Sequence, residues 1–343
     1  MSGINKIISI FSALFIVAST IPVAYGKDTI PDKPIKIGWQ PSEQAAFFYA
    51  RELKLFETYG LKPEYIRFDA GVPMLAAIEA GNIDVAVIGP PPTLLGIESG
   101  VPFKVVYISD DSGETQGLVV QPGIKSFPEL KGKKIGVSRG SSADFGLIKT
   151  LKKYNMTLED INVVDMQASA MVPSWINKEV DAIYVWEPFV QQLMGLGGKK
   201  LLSDAEVGAN GALVWVARDD FIEKSPDTLE AFIEALDDST KKMLREGKGT
   251  AVEAMMRVMN LTKEQGTAIY EGSRYLTLEE QLSPSDPLSM SPDAIKNGDG
   301  LLASYRSYAE FLVAAGRIQA VPDIASSIVP GPAIAASKRQ AGN

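Results

Sequence analysis

The sequence predicts an α/β protein of two like lobes, each a mostly parallel sheet flanked by helices. Three observations lead there. Short apolar runs alternate with amphipathic helical stretches from residue 35 onward, the order that builds parallel sheets. The order then restarts near residue 126. "KKIGVSRGSS" (133–142) answers "IKIGWQPSE" (35–43), and "DAIYVWEPF" (181–189) answers "IDVAVIGPP" (83–91). Ile37 falls on Ile135, Gly38 on Gly136 and Asp84 on Asp181. The two spacings agree to within one residue, as expected of two repeats of one topology. Finally, the chain after residue 215 reads as helices, with no third set of strands.

The elements follow in order. "IKIGW" (35–39) is a short apolar strand. Ser42 is placed to cap a helix whose apolar positions Ala46, Phe47, Ala50, Leu53 and Phe56 share one face, and Gly60 ends it. "EYIRF" (64–68) is a second strand, and "VPMLAAIEAG" (72–81) a helix with Pro73 in its first turn and Gly81 at its close. "DVAVI" (84–88) is a third strand, and Pro90 to Pro92 start the next helix. Beyond the second repeat, "SPDTLEAFIEALDDSTKKML" (225–244) is an amphipathic helix with Ser225 as cap and Pro226 at its first position. More helices follow through "LASYRSYAEFLVAAG" (302–316), and the tail 331–343 is expected to be disordered.

Composition narrows the function. Of 343 residues, 45% are hydrophobic and 22% charged, a balance that buries a sizeable core. The net charge of −8 argues against a nucleic-acid partner, which needs a basic face. The chain has no Cys and no His. That excludes Cys or His metal ligands, Ser-His-Asp triads, Cys nucleophiles and imidazole acid–base work. No calcium loop is present, and "GLGGKK" (195–200) lacks the Ser or Thr of a phosphate-binding loop. No cofactor, metal ligand or catalytic residue is expected. Residues 1–26 read as a secretory signal peptide: Lys6, the apolar "IISIFSALFIVAST", Pro22, then the small-residue site "AYG" with cleavage after Gly26. An uncleaved membrane anchor is the alternative.

In open parallel sheets, ligands sit beyond the carboxyl ends of the strands, where helix N-termini point into the crevice. Two lobes facing each other make a cleft there. The candidates are therefore Gln40, Ser42 and Glu43; Gly89 and Pro90; Gly140, Ser141 and Ser142; Trp186 and Glu187. In "SRGSSADFG" (138–146), Gly140 permits a tight turn and the two serines open a helix. Its N–H groups suit a small oxyanion such as a sulfonate, carboxylate or phosphate. Arg139 either pairs with that anion or lies solvated. Trp186 walls the pocket or fills the core, and Trp39 and Phe47 share the ambiguity. Glu187 holds a ligand ammonium or bonds amides in its own turn. Asp110 and Asp111 end a strand where they reach the cleft or lie solvated.

The motifs "AGVPMLAAIEAGNIDVAVIGPPP", "SFPELKGKKIGVSRGSS", "DAIYVWEPFVQQL", "LLSDAEVGANGALVWVARDDFIEKSP" and "YLTLEEQL" carry a resemblance over residues 34–325. The chain resembles the periplasmic solute-binding proteins of ABC importers for taurine and aliphatic sulfonates. The larger group also takes nitrate and thiamine-precursor pyrimidines. The resemblance implies a two-lobed type II periplasmic binding protein fold. Residues 27–117 plus 213–330 would form the first lobe, residues 118–212 the second, with a hinge at "GETQGLVVQP" and "GALVWV". It implies a periplasmic monomer that closes on a small anionic or zwitterionic ligand. An ABC permease, and ATPase subunits through it, would be the partners. Taurine binders tend to carry an acidic residue just before the "VW" of the second crossing. Here that residue is Leu213. Either Glu187, Asp110 or Asp111 takes the acid's role, or the ligand lacks an amine. A flat ring would call for an aromatic sandwich of Trp39 and Trp186. An exported enzyme is the reading from another class, since a related family makes the thiamine pyrimidine on this fold with His residues absent here.

Overall fold

The computed structural model describes residues 34–209 and 211–342. The expected signal peptide lies outside the described residues. Among the described residues, ten strands form two five-stranded sheets, and the first part of the chain supplies four strands of the first. There β1 (Pro34–Trp39), α1 (Ala45–Glu52), α2 (Leu55–Thr58), β2 (Lys62–Arg67), α3 (Gly71–Glu79), β3 (Val85–Ile88), α4 (Pro90–Glu98) and β4 (Phe103–Asp111) succeed one another. The chain then crosses to the second sheet, with β5 (Gln116–Val120), β6 (Lys134–Val137), α5 (Ser142–Lys153), β7 (Asn162–Asp165), α6 (Ala168–Ile176), β8 (Ala182–Trp186), α7 (Phe189–Gly195), β9 (Lys199–Ser203) and α8 (Asp204–Val207). It returns through β10 (Ala212–Arg218).

The sheet orders are β2-β1-β3-β10-β4 and β7-β6-β8-β5-β9. In each, the antiparallel strand is the one that arrives from the other lobe: β10 in the first, β5 in the second. The remaining four run the same way. This is the mostly parallel arrangement expected, closed by an exchange of strands.

The repeat extends to atomic detail. Asp84 accepts the Lys36 amide on its carboxylate at 2.9 Å and donates its own amide to the Lys36 carbonyl. Asp181 does both to Lys134. Asp84 thus fastens β1 to β3, and Asp181 fastens β6 to β8. Gly38 and Gly136 are equivalent too: a Cβ on Gly38 would stand 2.7 Å from Ile83 and one on Gly136 3.0 Å from Met166. The apolar Asp-strand runs bury completely, Val85–Ile88 in one sheet and Ala182–Val185 in the other, because helices cover both faces.

The rest of the chain adds α9 (Asp219–Lys224), α10 (Pro226–Glu246), α11 (Lys248–Met259), α12 (Lys263–Glu271), α13 (Leu278–Leu282), α14 (Pro292–Asn297), α15 (Gly300–Ala314) and α16 (Gly331–Ala341). They join the first sheet's core, where Trp215 meets Phe47 at 5.2 Å and Phe232 at 5.0 Å between ring centroids.

Two expectations are corrected. Residues 331–341 of the tail are helical, because Ala333 and Ala336 bury against the first lobe while Arg339 pairs with Glu230 and Glu234. Ser42 does not cap a helix: α1 starts at Ala45 behind Gln44, and Ser42 is left in the turn that feeds the cleft.

Candidate functional site

The carboxyl ends of both sheets face one cleft, a narrow cavity of about 20 Å³. The first lobe contributes Gln40, Ser42, Glu43, Gly71, Gly89, Pro92 and Leu213 to its lining; the second contributes Gln116, Ser141, Ser142 and Trp186. Eight sequence candidates are therefore brought together. Pro90 and Glu187 are not on the lining. Pro90 turns to the backbone of Gly211, where a Cβ would meet its ring at 2.7 Å. Glu187 is buried and accepts hydrogen bonds from the Gln191 amide and Nε2, both at 3.1 Å. It serves its own turn. Arg139 is exposed, with only its amide bonded, to Asp165. Trp39 packs against Phe47 and Phe48 with the Arg51 guanidinium 5.1 Å from its ring, so no sandwich with Trp186 forms.

Each polar lining group has a defined donor inventory. Ser142 Oγ donates to Gln116 Oε1 at 2.7 Å, and Gln116 Nε2 donates to Asp204, which also accepts from Tyr184 at 2.7 Å. Ser141 Oγ donates to the Ser138 carbonyl at 2.7 Å and accepts the Asp144 amide as the α5 cap. Both serine protons are thus committed inside the fold. The N–H groups of Ser142 and Ala143, in the first turn of α5, have no acceptor in the helix. Ser42 differs: its oxygen accepts from Gln44 Nε2 at 2.5 Å, which leaves its proton to donate outward. At α4 the three prolines remove the first N–H groups, so that helix end is an apolar wall. Sequence reading missed Gln116 because nothing local marks it. Its role depends on Asp204, which lies far along the chain.

Burial governs the electrostatics. Desolvation pushes Glu43 up to about 7, partly offset by hydrogen bonds including those from Ser112 and Thr115. It does the same to Glu187, against the bonds from Gln191, and to Asp204, against Tyr184 and Gln116. Asp110 is fully buried rather than solvated, and burial with Glu43 nearby holds it well above the ordinary range. Asp111 is only half-buried and is bridged to Arg274 through the backbone.

The two lobes touch at the rims. Trp186 Nε1 donates to the Pro41 carbonyl at 3.0 Å, and Ser169 Oγ to Asp69 at 2.7 Å. Opposite them, Phe145 of α5 stacks on Tyr308 of α15 at 4.0 Å while Arg317 pairs with Asp144 at 3.0 Å. The Trp186→Phe variant keeps the wall but strands the Pro41 carbonyl. It should lose about 1–2 kcal/mol in urea unfolding with the slope unchanged.

The family profile described as NMT1/THI5 like matches residues 42–248, more than half of the chain. The chain belongs to the NMT1/THI5-like family. Among the relatives of this family member is the taurine-binding periplasmic protein of Escherichia coli K12. It is 26% identical over 256 residues, covering 72% of this chain and 79% of that protein. The alkanesulfonate-binding protein SsuA from Xanthomonas axonopodis pv. citri, solved with MOPS bound, superposes with a TM-score of 0.72 at 18% identity. The match covers 86% of this chain and 98% of SsuA. The desulfurization enzyme DSZB shares the fold as well, with a TM-score of 0.64 at 14% identity over 90% of this chain and 99% of its own. The NMT1/THI5-like fold here is the periplasmic binding protein fold expected from the sequence. Among the described residues, no helix is long and apolar enough to cross a membrane.

Proposed function

We propose that this chain is the extracytoplasmic solute-binding receptor of an ABC importer. It captures a small sulfonate, taurine or an alkanesulfonate, in the cleft between its lobes. It then presents the closed form to a membrane permease driven by ATPase subunits. The protein works in the periplasm as a monomer and catalyses no reaction. The first lobe comprises the first sheet and the helices after β10; the second comprises the second sheet. The hinge lies at the two crossings, before β5 and before β10.

One observation carries the reading: a single chain lines one cleft from two sheets, with the free N–H groups of α5 on one side and the Ser42 hydroxyl on the other. Those groups suit a small oxyanion held without a formal cation. The lining contains no Lys or Arg and no nucleophile activated by a base, which argues for binding rather than turnover. The relatedness to sulfonate- and taurine-binding proteins points the same way.

The test is thermal unfolding of protein refolded to strip bound ligand, with taurine, ethanesulfonate, isethionate or nitrate added. A ligand at a thousand times its dissociation constant adds about 4 kcal/mol, or several degrees in midpoint. A sulfonate should produce that shift and remain chemically unchanged. No shift with any sulfonate would remove this reading, and release of sulfite or another product would replace it with an enzyme.

A further inference from the structure

The helix end that offers its N–H groups to the cleft carries an acid of its own. α5 opens at Ser142, and the third residue of its first turn is Asp144. The Asp144 carboxylate accepts the Gly140 amide at 3.1 Å and so holds the turn in which Gly140 takes a φ of +74°. That turn delivers the Ser142 and Ala143 N–H groups. A carboxylate there also competes with a bound anion, because both are drawn to the positive end of one helix.

Arg317 meets this charge from across the lobe boundary. Its Nη2 donates to the two Asp144 oxygens at 3.0 Å and 3.3 Å. Arg317 follows α15, whose Tyr308 and Leu312 pack in the first sheet's core, whereas α5 buries Ala143, Leu147 and Leu151 in the second. Both ends of the pair are fixed. The Arg317 amide donates to the Leu312 carbonyl at 2.8 Å, and Phe145, next to Asp144, meets Phe311 edge-on at 4.6 Å. The Asp144 side chain is 3% exposed and that of Arg317 26%, so salt and water screen the pair weakly. Among the described residues neither has another oppositely charged partner. Arg139, in the same turn, is exposed.

We propose that Arg317 is a positioning residue for the bound oxyanion: from the first lobe it fixes Asp144 and cancels its charge, so that the α5 N–H groups stay open to a sulfonate. This rests on the sulfonate reading above and adds the charge pair behind the site. Arg317 is not on the cleft lining and acts only through Asp144. A mere staple between the lobes would be lost whichever partner is removed. A charge balance behaves differently. Removing Arg317 leaves a negative charge behind the anion, removing Asp144 leaves a positive one, and removing both restores neutrality.

The experiment is calorimetric titration of wild type, Arg317→Gln, Asp144→Asn and the double variant with ethanesulfonate and with taurine, each protein first checked by urea unfolding. Asn still accepts the Gly140 amide, so the turn persists in Asp144→Asn. Arg317→Gln should bind both sulfonates about tenfold more weakly, and Asp144→Asn about threefold more tightly. The double variant should return to within about threefold of wild type. A double variant as weak as Arg317→Gln, an Asp144→Asn that binds more weakly than wild type, or four equal affinities would overturn the inference and leave the sulfonate reading intact. Failure of wild type to bind either ligand overturns both. Should Arg317→Gln fail to fold, the sign of the Asp144→Asn change decides alone.

Discussion

Replacing Gly117 with Val is expected to destabilise the second lobe by more than about 4 kcal/mol, beyond the range of ordinary substitutions. Gly117 sits on β5, hydrogen-bonded between β8 and β9. A Cβ there would lie 2.2 Å from the Leu202 carbonyl oxygen and 3.1 Å from the Ser203 Cα. These are backbone atoms of a paired strand, so no side-chain rotation relieves the overlap. β5 cannot retreat either, since β8 holds it on the other edge. The variant should therefore misplace the neighbouring Gln116 and break its bonds to Ser142 and Asp204. Urea unfolding followed through the tryptophans reads the loss, because Trp175 and Trp186 lie in the second lobe and Trp39 and Trp215 in the first. Even Gly117→Ala should show a large cost. A Gly117→Ala protein within 1 kcal/mol of wild type would mean that the strand exchange is looser than the register implies.

The ligand-free protein should lose stability as pH rises from 5 to 8. Glu43, Glu187 and Asp204 are each pushed up to about 7 by burial. In the unfolded chain they titrate near the ordinary carboxyl range, around 4. Between those values the folded state binds more protons than the unfolded one. The stabilisation is complete below the unfolded value and is lost as pH climbs through the folded one. For one such group the loss is roughly 3 kcal/mol by pH 8. Acids shifted the other way, such as the partly buried Asp160 and Asp220, are lowered by hydrogen bonds and titrate below this window. Melting midpoints in low salt at pH 5, 6, 7 and 8 should fall by several degrees, and Glu43→Gln should flatten the curve. A midpoint that holds steady or rises across the series would show that water or an ion reaches these carboxyls.

Much of this molecule was legible without coordinates. The alternation of strands and helices, the doubling of the pattern and the Asp at the head of β3 and of β8 are all local signals. A parallel strand must start, run and hand over to a helix within a few residues, so short stretches reveal it. The strand ends were legible for the same reason, and Gln40, Ser42, Glu43, Gly89, Ser141, Ser142, Trp186 and Leu213 do meet at one cleft. The tail was misread because its helix is held by partners far away in sequence, Glu230 and Glu234.

What the sequence by itself determined was the class of fold, the repeat, and which strand ends face the cleft, since periodicity and turn residues act over a handful of positions. What only the tertiary structure decided was which of those residues are free to act. Ser142 reads as an oxyanion donor on paper, yet it spends its proton on Gln116, while Glu187 spends its oxygens on Gln191 in its own turn, one of the two roles the sequence left open. Glu43 is left with an unpartnered oxygen at the cleft and Asp110 is sealed behind it. Hydrogen-bond satisfaction is settled by whichever groups the packed chain brings within about 3 Å, and no local pattern encodes that.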